Sequence, residues 1–210
     1  MKKEKMVILG AGGMGRELLF FVSESSSYNI LGFIDNDHKV HGKMINGFPV
    51  LGDDSWLLKY PDEISCVIAV GDPKIRKQVF EKFYIKENIV FPNIIANGVK
   101  YSDTVKMGQG CIIGPFSLLS VDILIGDFVL LNNYCQIAHD VRIDDFVTLY
   151  GNASVSGSVV IGESAEIGAG TRIIQGISIG EYSKVGIGSV VINDVPPNCT
   201  VFGNPAKRII

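Results

Sequence analysis

The chain has 210 residues, 47% of them hydrophobic, and a formal net charge of −3. That length supports two small domains or one large one, and a near-neutral chain without a polybasic run argues against nucleic acid or an anionic membrane as partner. Four cysteines (Cys66, Cys111, Cys135, Cys199), with no C-x-x-C pair, are too sparse for a disulfide framework and read as reduced core thiols.

The opening MKKEKMVILG places an apolar run against glycine after only four residues. It is too short for a signal h-region and has no small-residue cleavage site, so it predicts a first strand, Lys5 to Leu9, in a cytoplasmic protein. Gly10-Ala11-Gly12-Gly13-Met14-Gly15 follows, then a helix over Arg16 to Val22. A strand, a glycine turn and a helix N-terminus together make a cradle for phosphate, because backbone N–H groups and the helix dipole face the anion. A second strand, Leu31 to Ile34, ends in Asp35-Asn36, where a carboxylate meets a ribose or base in such folds. A short helix is expected over Gly52 to Tyr60 after a loop holding Pro49. A buried strand over Cys66 to Val70 ends in Gly71-Asp72, and Pro73 to Phe83 reads as a helix that starts on proline. Strand–helix alternation implies a small parallel sheet with right-handed crossovers and a ligand at the carboxyl ends of its strands. Gly10-x-Gly12-x-x-Gly15 matches a dinucleotide fingerprint that is weak by itself, and the sheet amounts to half a dinucleotide fold. A nucleotide handle such as that of a nucleotide-sugar fits it better than NAD. His38 and His41 fall in a polar loop near this site and read as solvated.

A linker containing Pro92 leads into a six-residue rhythm of apolar residues from Ile95 to Val191, broken in character only by Tyr101. A second register four residues later is small or branched, including Val99, Cys111, Val129, Val147 and Thr171. Neither a helix nor an ordinary strand has this period; a parallel β-helix of hexapeptide repeats does. The expected organisation is therefore an α/β Rossmann-like half-domain over 1–90 and an all-β parallel β-helix over 91–210. With three repeats per turn, residues 18 apart stack, about 4.8 Å apart as neighbouring strands. Phe128–Phe146 and Phe116–Tyr134 then form outward aromatic ladders, expected to be covered by another subunit or by the N-terminal domain. The unbroken phase leaves no long loop to build a cleft, so a site is expected in a groove between prisms of a closed oligomer, a homotrimer.

His139 is the one histidine of the repeats, two residues past the inward Ile137 and followed by Asp140, which can hold the ring in one tautomer. One coil further on lies Gly157, whose backbone N–H is expected to be exposed to a developing oxyanion. A base beside an amide donor suits acyl transfer. A single histidine cannot furnish a three-histidine zinc site, so metal catalysis is disfavoured.

Over essentially its whole length the chain resembles the left-handed β-helix acyltransferases. The tail Val195-Pro-Pro-Asn-Cys-Thr-Val-Phe-Gly-Asn-Pro-Ala-Lys-Arg208 is similar to that of many hexapeptide acetyltransferases. GAGGMGREL, AVGDPKIR and CQIAHDVRIDDF, in that order, narrow the resemblance to the sialic-acid O-acetyltransferase-like sugar acyltransferases. Within them it looks closest to the UDP-amino-sugar (bacillosamine) and perosamine N-acetyltransferases. The resemblance implies cytoplasmic homotrimers that move acetyl from acetyl-CoA to an activated sugar without a metal. It makes His139 the general base, Asp140 its partner and Gly157 the amide near the acetyl carbonyl. Gly12, Gly13 and Met14 match the nucleotide-sugar cradle, Asp35 and Asn36 the base or ribose contacts, and Gly71 the next strand end. Thr148, Ala169 and Ile187 match the coenzyme channel; Lys207 and Arg208 are candidate phosphate contacts. Relatives often carry histidine where Met14 stands, and the bacillosamine enzyme has it at the place of Thr148. Two other readings stay open: O-acetylation of a sialic acid or polysaccharide precursor, and a non-catalytic nucleotide-sensing scaffold.

Overall fold

The computed structural model describes residues 3–24 and 27–209. The chain divides into two compact units, Met1–Gly71 with Ile75–Ile94, and Asp72–Lys74 with Ile95–Ile210. In the first unit the strands are β1 (Glu4–Leu9), β2 (Tyr28–Ile34), β3 (Met44–Ile45), β4 (Phe48–Gly52), β5 (Ile64–Ile68) and β6 (Ile89–Val90), in the sheet order β3-β4-β2-β1-β5-β6. All pairings are parallel except the β3–β4 hairpin. Helices α1 (Gly13–Ser23), α2 (Asp54–Leu58) and α3 (Pro73–Glu81) make the connections. The central strands are continuous apolar runs because both faces are covered: Met6 to Leu9 and Ile64 to Ile68 are all buried. Helix α1 buries Leu18, Leu19, Phe21 and Val22 on one side.

The expected loop at Pro49 is instead strand β4, which continues to Gly52 and shortens the following helix to α2. Pro49 is tolerated because it lies opposite Met44 of the two-residue β3, at the margin of the sheet.

The second unit is a left-handed parallel β-helix whose two-residue strands stack in three faces. Face one runs from Ile94–Ile95 in steps of 18 residues to Lys184–Val185 and ends in the antiparallel pair Thr200–Gly203 and Ala206–Arg208. Face two runs from Lys100–Tyr101 to Val190–Val191, and face three from Lys106–Met107 to Ser178–Ile179. The inward register is buried from Ile113 to Val191, and the second register fills the corners with Cys111, Cys135, Val147, Ala153 and Thr171. Ile95 and Tyr101 depart from the expectation, being 38% and 49% exposed. They belong to the first coil, whose strands pair on one side only.

Each turn of the chain between faces carries a residue three past the inward position, and most of these have positive φ: Phe116, Asp122, Phe128, Tyr134, Asp140, Phe146, Asn152, Ser158, Ser164 and Tyr182, with glycine at 98, 110, 170, 176 and 188. Both aromatic ladders form, with ring centroids 5.4 Å apart for Phe128–Phe146 and 5.2 Å for Phe116–Tyr134. The first pair is buried within the chain, whereas Phe116 and Tyr134 are 59% and 53% exposed. Among the described residues no helix is long and apolar enough to cross a membrane.

Candidate active site

In the first unit, parallel pairing of β2, β1 and β5 brings three strand ends together: Gly12 and Gly13 after β1, Asp35 and Asn36 after β2, and Gly71 after β5. The glycines of the turn divide into two kinds. Gly10 has φ +110° and Gly15 packs so closely on the Gly10 carbonyl that no side chain fits; the fold requires both. A Cβ at Gly12 would meet nothing within 4 Å, and one at Gly13 only the tip of Arg16. Both residues are exposed at the start of α1, so the space beside them is open to a ligand. Met14 is half-buried in the first turn.

Asp35 also has a role within the fold. Its carboxylate accepts the Ala11 N–H at 2.8 Å and the Asp37 N–H at 2.9 Å, tying β2 to the glycine turn. Asn36 is exposed, and its side-chain oxygen accepts the Asp54 N–H at 3.2 Å. The solvated reading of His41 is corrected as well: it is half-buried, with Nε2 2.7 Å from the Asp35 carbonyl and its ring edge-on to His38 at 4.8 Å. Asp53 caps α2 by accepting the Ser55 N–H; its carboxyl is held below the usual range by hydrogen bonds from the Ser55 side chain and backbone, with help from His41 and His38. Pro49 masks β4 in the sequence, and with it the delivery of Asp53 to this end of the sheet.

In the second unit His139 and Asp140 occupy the corner between faces two and three, after Gln136–Ile137 and before Arg142–Ile143. Asp140 is the left-handed residue of that corner, φ 59°, a conformation aspartate tolerates. The turn folds its carboxylate back on the ring, Nδ1 to Oδ2 2.7 Å, with both side chains about half exposed. The next coil is fixed beneath by the Ser158 N–H donating to the His139 carbonyl at 2.9 Å. Gly157 is buried, not exposed as expected, because the ring lies over it: a Cβ there would sit 2.5 Å from Cε1 and 2.6 Å from Nε2. Its glycine thus makes room for the imidazole. Cys135, four residues before His139, is buried and its thiol is pushed up to about 12 by that burial, so it is no nucleophile.

The remaining expected residues fall elsewhere on the prism. Ala169 and Ile187 stack at the corner between faces one and two, Ala169 half-buried and Ile187 68% exposed. Lys207 and Arg208 are exposed on the terminal strand, with Lys207 paired opposite Phe202. Thr148 is on face one and fully buried. Its apolar neighbours in the column, Ile112 and Leu130, are buried too. Among the described residues no group of three or more His, Cys, Asp or Glu could hold a metal ion.

A left-handed β-helix, on a chain that also folds a small parallel sheet with an open glycine turn, is the build of hexapeptide-repeat acyltransferases with an α/β front domain. The model of the PglD N-terminal domain family matches residues 5–83. The chain is similar to GDP-perosamine N-acetyltransferase of Escherichia coli O157:H7, 36% identical over 134 residues. That match covers 60% of this chain and 58% of the relative's length. Among solved structures it is similar to WeeI from Acinetobacter baumannii AYE, at 30% identity and TM-score 0.90, covering 99% of this chain and 100% of that one. It is similar also to the acetyltransferase domain of PglB from Neisseria gonorrhoeae FA1090 in complex with acetyl coenzyme A, at 29% identity and TM-score 0.92, with the same coverage. The chain belongs to this family of sugar acyltransferases.

Proposed function

We propose that the protein transfers an acetyl group from acetyl-CoA to the amino group of a nucleotide-activated amino sugar, with His139 as general base. The observation that carries this reading is the 2.7 Å contact between His139 Nδ1 and Asp140. A carboxylate partner keeps the proton on Nδ1 and leaves Nε2, on a half-exposed ring, as the acceptor. Nε2 takes a proton from the sugar amine as nitrogen attacks the thioester carbonyl. The C–N bond forms, the C–S bond breaks, and the imidazolium returns its proton to the departing thiolate. The Gly157 N–H, which donates to no described residue, is the proposed oxyanion donor. The names of the relatives, one a GDP-perosamine N-acetyltransferase and one bound to acetyl coenzyme A, support the donor and the acceptor class.

The nucleotide is assigned to the first unit, over Gly12 and Gly13, with Met14, Asn36 and Gly71 beside it and Asp35 holding the turn. Coenzyme A is assigned to the corner of Ala169 and Ile187, whose apolar surface suits its pantetheine arm, with Lys207 and Arg208 for phosphate. On one prism that corner and the His139 corner are separated by face two. A single groove holding both base and thioester therefore needs a second copy of the chain, and the exposed Phe116–Tyr134 ladder supplies apolar area for it. A homotrimer closes such contacts on themselves. Light scattering that returns a monomer under assay conditions defeats this assignment.

Thiol release from acetyl-CoA, followed with UDP-amino-sugar, GDP-amino-sugar and hydroxy-sugar panels, tests the reaction. His139→Ala is expected to lower kcat by roughly 10²–10⁴-fold while calorimetric coenzyme A binding stays unchanged. Full turnover by that variant sinks the base assignment, and turnover confined to hydroxyl acceptors sinks the N-acetyl reading.

A further inference from the structure

The helix α3 carries a cation that the proposed chemistry has not used. Arg76 is 1% exposed, the largest fully buried side chain described, in a unit whose other large buried side chains are apolar. Its Nη1 donates to two successive main-chain carbonyls, Val70 at 2.8 Å and Gly71 at 3.0 Å. These carbonyls belong to the turn at the carboxyl end of β5, the strand end that lies beside the glycine turn of β1. Burying a guanidinium is costly unless its donors are satisfied, and two of the hydrogen bonds made here fix a short stretch of backbone. A trans peptide holds its C=O and N–H on opposite sides. Fixing both carbonyls therefore also constrains the facing of the Gly71 and Asp72 N–H groups.

Resting on the nucleotide assignment above, we infer that Arg76 is the positioning residue of the nucleotide cradle, holding the Val70–Gly71 turn in the path that lets Gly71 approach the ligand. It touches backbone and not substrate. Hydrogen bonds from a charged group to half-buried carbonyls are strong enough that their loss should weaken nucleotide binding roughly ten- to hundredfold. Coenzyme A binding, assigned to the β-helix, should be unaffected.

Calorimetry with UDP, GDP and coenzyme A on the full chain provides the test, using wild type, Arg76→Met and Arg76→Lys. Phe83→Leu serves as a control, since Phe83 is fully buried in the same unit and its side chain has no polar atom to hydrogen-bond the turn carbonyls. The inference predicts a tenfold or greater loss of nucleotide affinity in Arg76→Met, a smaller loss in Arg76→Lys, and nucleotide affinity within twofold of wild type in Phe83→Leu. Unchanged nucleotide affinity in folded Arg76→Met overturns it. An equal loss in Phe83→Leu overturns it as well, by showing that general loosening of the unit is the cause. Should Arg76→Met fail to fold, Arg76→Lys decides by the same criterion: affinity equal to wild type refutes the positioning role. A wild-type chain that binds neither UDP nor GDP refutes the cradle assignment itself, and this inference with it.

Discussion

Gly157→Ala is the sharpest probe of the His139 corner. The backbone of Gly157 lies outside the positive-φ region, so alanine is not strained there. Its methyl, however, would stand 2.5 Å from Cε1, 2.6 Å from Nε2 and 3.0 Å from Nδ1 of His139. Non-bonded carbons settle at about 3.5–4.0 Å, so the ring has to retreat by about 1 Å. A retreat of that size stretches the 2.7 Å Nδ1–Asp140 contact past hydrogen-bonding range. It also moves Nε2 off the acceptor nitrogen. Misplacing a catalytic group by about 1 Å costs on the order of 100-fold, equivalent to about 2.7 kcal/mol of barrier. Steady-state thiol release should therefore show kcat about 100-fold down with the KM for acetyl-CoA little changed. The double variant His139→Ala/Gly157→Ala should be no slower than His139→Ala alone, because the ring through which the methyl acts is gone. A Gly157→Ala enzyme within threefold of wild type, or full additivity in the double variant, would refute the reasoning.

Asp140→Asn retains the shape of the dyad but removes the charge facing Nδ1; kcat should fall roughly tenfold or more, and pH–rate profiles on both enzymes check it. Gly12→Ala and Gly10→Ala should separate ligand space from fold. The first leaves the melting temperature unchanged and weakens UDP or GDP binding in calorimetry. The second, at φ +110° with Cβ 3.0 Å from the Ala69 carbonyl oxygen, should destabilise the chain by about 1–3 kcal/mol in denaturant unfolding. Ile161→Ala, at a fully buried inward position, should cost about 2–5 kcal/mol in the same assay with kcat retained in the folded fraction. Burial pushes the Cys135 thiol up to about 12 and Cys66 upward too. Alkylation at pH 8 should therefore modify neither in the folded chain, leaving activity intact, and both should react once the chain is unfolded; rapid loss of turnover on native alkylation would contradict this.

The β-helix was legible because its rule is local and repeated: one inward residue in six, a small one four later, and 18 residues between stacked neighbours. That arithmetic sufficed to place Gly157 against His139 and the two aromatic pairs against each other. It did not reveal that Ile95 and Tyr101 would lie open, since end effects depend on how many coils flank a strand. The half-sheet was legible in its apolar runs and glycine turn, but Pro49 hid β4. With β4 went the place of Asp53 and the bond from Asn36 to α2.

The chemistry divides along the same line. Sequence by itself determined the periodic scaffold, the histidine followed by an acid, and the glycine turn, because these are properties of neighbours along the chain or of a fixed repeat. Only the tertiary structure decided which groups find partners or burial inside the protein: Asp35 at the Ala11 N–H, His41 at the Asp35 carbonyl, Arg76 at the Val70 and Gly71 carbonyls, and Thr148 out of solvent. Arg76 shows the reason. In the run PKIRKQVFEK it looks like one more cation of a solvated helix. Whether such a side chain meets water or two carbonyls is settled by the packing of α3 against the strand end, and burial is a property of the whole fold, not of any residue's neighbours in sequence.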